Sequence, residues 1–315
     1  MRYFLRILLG AVFCASAISK LFFMESFELY VFSFQLFSFD LCSFAARLLV
    51  ACELVLGLGL ISGIWRRTIN WLCAATLGGF SLFLMWRIIL GDDSSCHCFG
   101  DVLDMNPWQS LLKNAVLALL LFLGWKAPEH DIADFFCSRF PKFRTSVCRI
   151  LIACLLSAAS FTAVFAICPP SFYHRWTSRT QNLSQELWQP FSDDFGYSEG
   201  NHIVLFFSPL CEHCQHCAAK VNSILARHDL DHSRIHVVFM DLYDDPSIMD
   251  RAIPYFYEQA GIDELPFDSH KISYEDMIPM TDGVIPLVCL FADGRLVEEY
   301  SYSTLDESVF SDFVR

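Results

Sequence analysis

Five apolar runs, each near the length needed to cross a membrane, constrain the fold of this chain more than any other feature. The runs cover residues 3–24, 44–65, 69–90, 108–125 and 149–168. A helix needs about 20 apolar residues to span the hydrocarbon core, where its own backbone must supply every hydrogen bond. The sequence therefore predicts an α-helical transmembrane bundle of five helices in contact with the lipid bilayer.

The first run has an alternative interpretation as a cleaved signal peptide, because Arg2 and Arg6 precede it and small residues occur at 15–19. No convincing cleavage site follows, and the run continues through Phe23. We interpret it as the first helix of the bundle.

Charge is distributed unevenly between the two halves of the chain. Hydrophobic residues make up 54% of the sequence, yet residues 199–315 carry 21 Asp and Glu against 7 Lys and Arg. An acidic surface repels phosphate backbones, so we expect no nucleic-acid partner. The chain thus divides into an apolar membrane part and an acidic soluble part.

Basic residues near the ends of the runs predict the orientation, because they stay on the cytoplasmic side. They are Arg2, Arg6, Arg66, Arg67, Lys126, Arg139, Lys142, Arg144 and Arg149. The opposite loops, 25–43 and 91–107, contain no Lys or Arg. This pattern predicts a multi-pass protein of the bacterial inner membrane with a cytoplasmic N-terminus and an extracytoplasmic segment after residue 170. Disulfides persist in that outer compartment.

The order of patterns along the chain predicts four segments. Residues 1–126 hold four helices, 127–170 a cytoplasmic loop and the fifth helix, 171–200 a polar linker, and 201–315 an α/β domain. In the last segment we expect strands at 202–208, 235–241, 286–292 and 295–301, and helices at 211–227, 246–260 and from 305. About 115 residues are enough for one compact domain.

The soluble segment carries a Cys-x-x-Cys pair, Cys211 and Cys214, between a predicted strand and a predicted helix. A helix N-terminus stabilises a thiolate, so Cys211 is predicted to be the nucleophile and Cys214 the resolving thiol. A cation at His213 would stabilise the reduced form and make the disulfide a better oxidant. Alternatively, Glu212 and His213 are simply exposed turn residues.

This arrangement resembles the thioredoxin fold. Phe206-Phe207-Ser208-Pro209-Leu210 followed by the cysteine pair matches the family's active-site strand and turn. Val284-Ile285-Pro286 and the hairpin at 291–294 are similar to its cis-proline loop and last hairpin. The resemblance implies a catalytic role for Pro286.

Two other thiols in the soluble segment have a simpler interpretation. Cys217 and Cys289 are predicted to lie in the core of a helix and of a strand. A zinc or copper site formed by Cys211, Cys214, Cys217 and His216 has ligand-like spacing. The thioredoxin pattern already accounts for the first two cysteines, so we expect no metal.

A second thiol pair, Cys96 and Cys98, lies in the outer loop before the fourth run. A disulfide between them would close a very small ring and be easily reduced, which makes it a good oxidant. The first four runs resemble the methylamine-utilisation MauE branch of the DoxX-like membrane proteins. The matching residues are Ser19-Lys20, Glu53-Leu54, Cys96-His97-Cys98-Phe99-Gly100 and Lys113-Asn114. The resemblance implies thiol oxidation in exported proteins and a link to a quinone.

Ionisable side chains in the outer half of the bundle are the candidate cofactor site. They are Lys20, Arg47, Glu53, Arg87 and Lys113. Such groups are costly in a membrane and usually face a cavity or each other. For Arg87 and Lys113 we expect instead that the side chains extend to the membrane interface. Glu53, Arg47 and Lys20 are predicted to bind the quinone; for Glu53, a role in a buried structural pair is the alternative.

The leading hypothesis is a membrane thiol:disulfide oxidoreductase. In it, Cys96/Cys98 re-oxidises Cys211/Cys214, which oxidises exported proteins. The reverse direction is the first alternative, although it needs electrons to cross the membrane. A non-catalytic metal or assembly chaperone is the second.

Overall fold

The structure is a computed structural model that describes residues 2–34, 36–90, 105–125, 145–170, 172–173, 185–227, 232–241, 246–263, 265 and 267–313. Contacts divide the chain into two units. The first comprises Met1–Tyr30 and Phe44–Pro169, and the second comprises Val31–Ser43 and Pro170–Arg315. We call residues 31–43 the strap.

Long apolar helices dominate the first part of the chain. They are α1 (Arg2–Phe22), α3 (Phe39–Ser62), α4 (Arg66–Ile89), α5 (Pro107–Gly124) and α6 (Thr145–Ile167), with a shorter helix α2 (Met24–Ser33) between the first two. Five of these helices are long and apolar enough to cross a membrane. The prediction of five spanning helices is confirmed.

Helices α1 and α3 approach closely at two glycines. A Cβ on Gly10 would lie 2.7 Å from the carbonyl oxygen of Gly57, and one on Gly57 would lie 2.6 Å from Cys14 Sγ. Small residues let membrane helices pack backbone to backbone. Large apolar side chains elsewhere, such as Phe122 and Leu155, are mostly exposed, as expected for surfaces that contact lipid.

Helix α2 corrects the prediction that residues 25–43 form a loop. It has no Lys or Arg, and half of it is apolar. Ten residues are too few to span a membrane. The sequence therefore contained a short helix that a search for spanning lengths cannot find.

The second unit is built on a five-stranded sheet. Its strands are β1 (Asn201–Phe207), β2 (Ile235–Asp241), β3 (Asp268–Ser273), β4 (Leu287–Ala292) and β5 (Arg295–Tyr300), in the order β3-β2-β1-β4-β5. Strands β1, β2 and β3 are parallel, whereas β4 is antiparallel to β1 and β5 is antiparallel to β4. The apolar central strand β1 is buried on both faces.

Helices cover both faces of this sheet. They are α7 (Gln185–Phe195), α8 (Glu212–Leu225), α9 (Pro246–Ala260), α10 (Tyr274–Thr281) and α11 (Glu307–Phe313). Trp188 of α7 packs edge-on against Phe206 and Phe291 on one face. Phe256 of α9 packs against Phe207 and Phe239 on the other. The mixed sheet and its helices form a thioredoxin-like fold, as predicted.

The predicted linker at 171–200 is too long. Helix α7 lies within it, and Trp188 and Phe191 are buried in the core of the domain. Their spacing of three residues places them on one helix face, but the polar residues around them and Pro190 hid the period. The stretch between α9 and β4, for which we expected neither a strand nor a helix, contains β3 and α10. The Ser273 side chain caps α10 by accepting from the Asp276 N–H.

The strap packs on the domain through aromatic rings. Phe32 and Phe39 are fully buried, and their rings meet edge-on. Lys220 of α8, also fully buried, places Nζ 3.5 Å from the Phe39 ring centroid and donates to the carbonyl oxygens of Tyr302 and Leu305. Thus the strap supplies part of the cation's surroundings.

Candidate functional site

The end of β1 positions the cysteine pair. After Phe207, a turn leads to Cys211, which caps the N-terminus of α8. The N–H of Cys214 donates to Cys211 Sγ at 3.3 Å, and the N–H of Ser208 donates to Cys214 Sγ at 3.5 Å. A backbone N–H therefore points at each sulfur, and the donor to Cys211 belongs to the first turn of α8, as expected at a helix N-terminus.

The two thiols differ sharply in acidity. The pKa of Cys211 is lowered to about 6, first by a hydrogen bond with the Cys214 side chain, then by backbone N–H groups and by His213. Burial raises the pKa of Cys214 far above its ordinary value. Cys211 is partly exposed, whereas Cys214 is fully buried. The accessible thiol is thus the one that ionises.

The His213 side chain is exposed, and both its charge and the backbone N–H of His213 lower the pKa of Cys211. Its effect on the pKa of Cys211 is a minor one among the causes. Glu212 is exposed in the same turn. The predicted tuning by His213 therefore has a physical basis here, and the pair of cysteines supplies the larger part of the effect.

The two remaining thiols of the domain lie in its apolar core. Cys217 and Cys289 are fully buried, and Cys289 packs in the core cluster beside Val204 and Phe291. Burial holds the pKa of Cys289 well above its ordinary value. A buried neutral thiol behaves as a small apolar side chain.

Pro286 lies at the same end of the sheet as the cysteine pair. The Ile285–Pro286 bond is cis. In the antiparallel register of β1 and β4, Phe206 is opposite Leu287, so the residue before Leu287 lies beside the end of β1. The turn that carries Cys211 leaves from that same end.

Cys96 and Cys98 lie outside the described residues. They fall in the sequence between α4 and α5, and the described chain resumes at Met105. Helix α5 begins with a capping box in which Asn106 and Gln109 exchange hydrogen bonds, with Pro107 at the first helical position.

A cavity of about 170 Å³ lies inside the first unit. Its lining is mostly apolar, with the polar side chains Ser16, Lys20, Glu53, Thr76, Lys113 and Asn114. Lys20 Nζ lies 2.6 Å from a Glu53 carboxylate oxygen and donates to Ser16 Oγ at 2.9 Å. The structure therefore brings together two of the three residues predicted for the cofactor site. Ser16, four residues before Lys20, was missed, although that spacing places both on one helix face.

Arg47 does not line this cavity. Its guanidinium pairs with Glu28 of α2 and donates to the carbonyl oxygens of Cys168 and Pro169. Glu53 forms its ion pair with Lys20, so the structural pair considered for Glu53 is present, with a partner other than Arg47. Glu28 could not be identified from the sequence, since a search for spanning runs leaves the position of α2 undetermined.

Arg87 and Lys113, the two cations expected at the membrane interface, lie in different surroundings. Arg87 is only 1% exposed and donates to the Tyr30 hydroxyl at 3.0 Å. The prediction that Arg87 extends to the interface is therefore wrong, because the side chain is buried and has a partner. Lys113 lines the cavity.

Both the membrane part and the soluble part of the chain are similar to known proteins. Residues 1–127 match the model of the family "Methylamine utilisation protein MauE". Protein TlpB from Flavobacterium psychrophilum is 23% identical over 302 residues, covering 82% of this chain and 80% of that protein. The similarity to TlpB therefore extends across both parts of the chain.

A solved structure was also found, the thioredoxin domain of the thiol-disulfide oxidoreductase BVU-2223 from Bacteroides vulgatus. It matches with a TM-score of 0.28 and 11% identity, covering 38% of this chain and 84% of that chain. The thioredoxin-like fold is supported by the strand order, the position of the cysteine pair and the cis Ile285–Pro286 bond. The chain thus joins a membrane segment that matches the MauE family to a thioredoxin-like domain whose Cys211/Cys214 pair has the arrangement of a thiol:disulfide oxidoreductase site.

Proposed function

We propose that this protein oxidises thiols of exported proteins on the outer side of the bacterial inner membrane. The observation that carries the proposal is the contrast between Cys211, accessible and ionised near neutral pH, and the buried, protonated Cys214. A thiolate stabilised in this way favours the reduced pair. Its disulfide is then a strong oxidant.

The exchange begins with the Cys211–Cys214 disulfide. A substrate thiolate attacks Cys211 Sγ, the bond to Cys214 breaks, and a mixed disulfide forms. A second substrate thiolate then displaces Cys211, so the substrate leaves as a disulfide. The pair is left with a thiolate at Cys211 and a thiol at Cys214, having taken up two electrons.

Re-oxidation is assigned to the Cys96/Cys98 pair. The Cys211 thiolate attacks that disulfide, and Cys214 then resolves the mixed disulfide to restore its own pair. Cys96 and Cys98 are left as a dithiol, with two electrons and two protons to pass on. An acceptor that resides in the membrane is needed for this step.

We assign this cavity to the ring of a quinone. A cavity of roughly 150 Å³ is enough for a six-membered ring, and this one offers about 170 Å³ of mostly apolar space. Lys20, Glu53 and Lys113 supply charged groups at its wall. When bound, a quinone would supply a two-electron acceptor for the Cys96/Cys98 dithiol. Arg47 no longer belongs to this proposed site, because Glu28 and two carbonyl oxygens hold its guanidinium.

Orientation is part of the proposal. A cytoplasmic N-terminus and five crossings put both thiol pairs on the outer side, where disulfides persist. A reporter fused after Arg315 that requires an extracytoplasmic location should be active. Activity of a cytoplasm-only reporter at that position would contradict the orientation.

Thiol trapping in cells tests the function. Acid quenching followed by alkylation with a mass tag should show both pairs oxidised at steady state in the wild-type protein. In the Cys96→Ser variant, Cys211 and Cys214 should accumulate as thiols, because their oxidant is lost. A wild-type protein with both pairs reduced would instead indicate a reductant.

A further inference from the structure

Three histidines lie on neighbouring parallel strands, towards the ends that are farthest from the cysteine pair. His202 is in β1, His236 in β2 and His270 in β3. Val204 is opposite His236, and Val238 is opposite His270. Residues two apart share a face of a strand, so the three imidazoles line the face that α7 covers.

Hydrogen bonds fix which ring nitrogens carry protons. His202 Nε2 lies 3.0 Å from the carbonyl oxygen of Glu199, which can only accept. The other nitrogen of neutral His202, Nδ1, is therefore an acceptor, and it lies 3.0 Å from His236 Nε2, which donates. The remaining nitrogen of neutral His236, Nδ1, then holds a lone pair. That atom is buried without a hydrogen-bond partner among the described residues.

An aromatic lid covers this chain of hydrogen bonds. We define the lid as residues 185–197, comprising α7 and Tyr197. The Tyr197 ring lies 4.6 Å from the His236 ring and 5.2 Å from the His202 ring. The backbone N–H of Tyr197 donates to the Ser192 carbonyl oxygen at 2.8 Å, which holds Tyr197 at the end of α7. Its hydroxyl, like His236 Nδ1, is buried without a partner in the part of the chain that is described.

The charged and titratable groups around His236 come from each neighbouring element. His202 faces it from β1, His270 and Asp268 from β3, and Tyr197 from the lid. Burial, then His202 and His270, lowers the pKa of His236 to about 4, while Asp268 acts in the opposite direction. In the closed structure this imidazole is neutral at pH 7.

We propose that the three histidines form an acid-sensitive latch, which holds the lid against the sheet while His236 is neutral and releases it when His236 takes up a proton. Opening exposes the lone pair of His236 Nδ1 to water. The latch concerns the end of the sheet opposite the cysteine pair and does not depend on the proposed redox function.

The direction of the pH effect follows from linkage. The pKa of His236 is lower in the closed structure than the ordinary value of 6.5 that an opened segment would restore. The open state therefore binds the proton more tightly. The stability of the closed lid should be complete above pH ~6.5 and should be lost as the pH falls towards 4.

Hydrogen–deuterium exchange of the full-length protein in detergent tests the latch. Exchange would be compared at pH 7.5 and pH 5.0 after correction for the intrinsic chemical rate. Peptides covering 185–197 should lose protection by roughly tenfold at pH 5.0, a conservative fraction of the linkage effect. Helix α9, on the other face of the sheet, should keep its protection.

Two variants separate titration from packing. His236→Phe keeps a ring but cannot titrate, so the ratio of protection between the two pH values should approach one. Phe191→Leu removes packing from the same lid, so protection should fall at both pH values while the ratio stays as in the wild type. If His236→Phe does not fold, the proposal is still tested in the wild type, by whether protection from exchange falls at pH 5.0 in the lid but not in α9. Equal protection of the lid at both pH values, equal loss in α9, or an unchanged ratio in a folded His236→Phe protein would overturn the proposal.

Discussion

Cys211 and Cys214 are three residues apart, yet the fold gives their thiols opposite acidities. A partly exposed sulfur at a helix N-terminus receives N–H donors and gains acidity, whereas the sulfur one turn later is enclosed by the core and loses it. The sequence pattern predicts the identity of the nucleophile. The size of the contrast depends on the burial of Cys214, which only the packed structure determines.

The contributions of Cys214 and His213 to the low pKa of Cys211 can be compared by substituting each residue in turn. Cys214→Ala removes the hydrogen bond that contributes most to the low pKa of Cys211, so this pKa should rise more in Cys214→Ala than in His213→Gln. In the wild type, alkylation of Cys211 should increase through pH ~6 and level off above pH 7, because the thiolate is then fully formed. Mass spectrometry of the Cys211 peptide against pH measures both effects. A larger shift in His213→Gln would show that the imidazole charge dominates.

The Lys20–Glu53 pair in the cavity gives a second residue-scale prediction. Removing one partner leaves the other charge uncompensated in a low-dielectric site, so Lys20→Met and Glu53→Gln should each lower the thermal midpoint in detergent. The double variant should recover much of that loss, because no lone charge remains. It should nonetheless fail to pass electrons to a short-chain quinone. Full quinone reduction by a folded double variant would remove these side chains from the proposed acceptor site.

Among the elements, the strap makes contacts that its sequence does not suggest. Arg227 of the domain donates to the Phe37 carbonyl oxygen and to Glu307, whose carboxylate also accepts from the Phe39 N–H. Glu307 thus bonds the backbone at the start of α3. The sequence predicts a loop between helices here, yet three charged side chains of the domain contact the strap. They are Arg227, Glu307 and Lys220.

Truncating the Phe39 ring should loosen the second unit. Phe39→Ala removes a fully buried ring and the aromatic face over Lys220, so we expect a loss of about 3–5 kcal/mol. Phe37→Ala is the matched control, because that side chain is 51% exposed and should cost about 0.5 kcal/mol or less. Hydrogen exchange of the β1 and β4 amides in the full chain measures the difference. Equal protection in the two variants would mean that the strap contributes nothing to the stability of the unit.

The contact of α1 with α3 gives a prediction for the membrane part. Gly57→Val places a Cβ within 3 Å of Cys14 and Gly10, so the helices must separate and the detergent-solubilised protein should unfold at a lower temperature. Gly79→Ala is the control, because its Cβ would meet nothing within 4 Å. A thermal midpoint in Gly57→Val equal to that of Gly79→Ala would contradict the close packing.

For the whole molecule, the sequence predicts what depends on local pattern and misses what depends on distant packing. Spanning helices follow from uninterrupted apolar runs, and β1 and α8 follow from a buried strand beside a Cys-x-x-Cys. The partner of Arg47 was missed because Glu28 lies on a short helix with no spanning signal. Helix α7 was missed although Trp188, Phe191 and Phe195 have helical spacing, because Pro190 and the polar residues between them are typical of a linker. The histidine latch joins three strands that are far apart in the sequence.

The central claim is that the two thiol pairs exchange directly, and trapping a mixed disulfide tests it most directly. Thiol–disulfide exchange passes through such an intermediate, and the resolving thiol releases it. In the full-length Cys214→Ser protein, Cys211 should therefore remain joined to Cys96 or Cys98. Cleavage at a protease site placed between residues 174 and 184 should leave the two fragments together on a non-reducing gel until reductant is added. The Cys211→Ser/Cys214→Ser protein, treated identically, should separate. Separation of the Cys214→Ser fragments without reductant, with no peptide linking Cys211 to either loop cysteine, would contradict direct exchange.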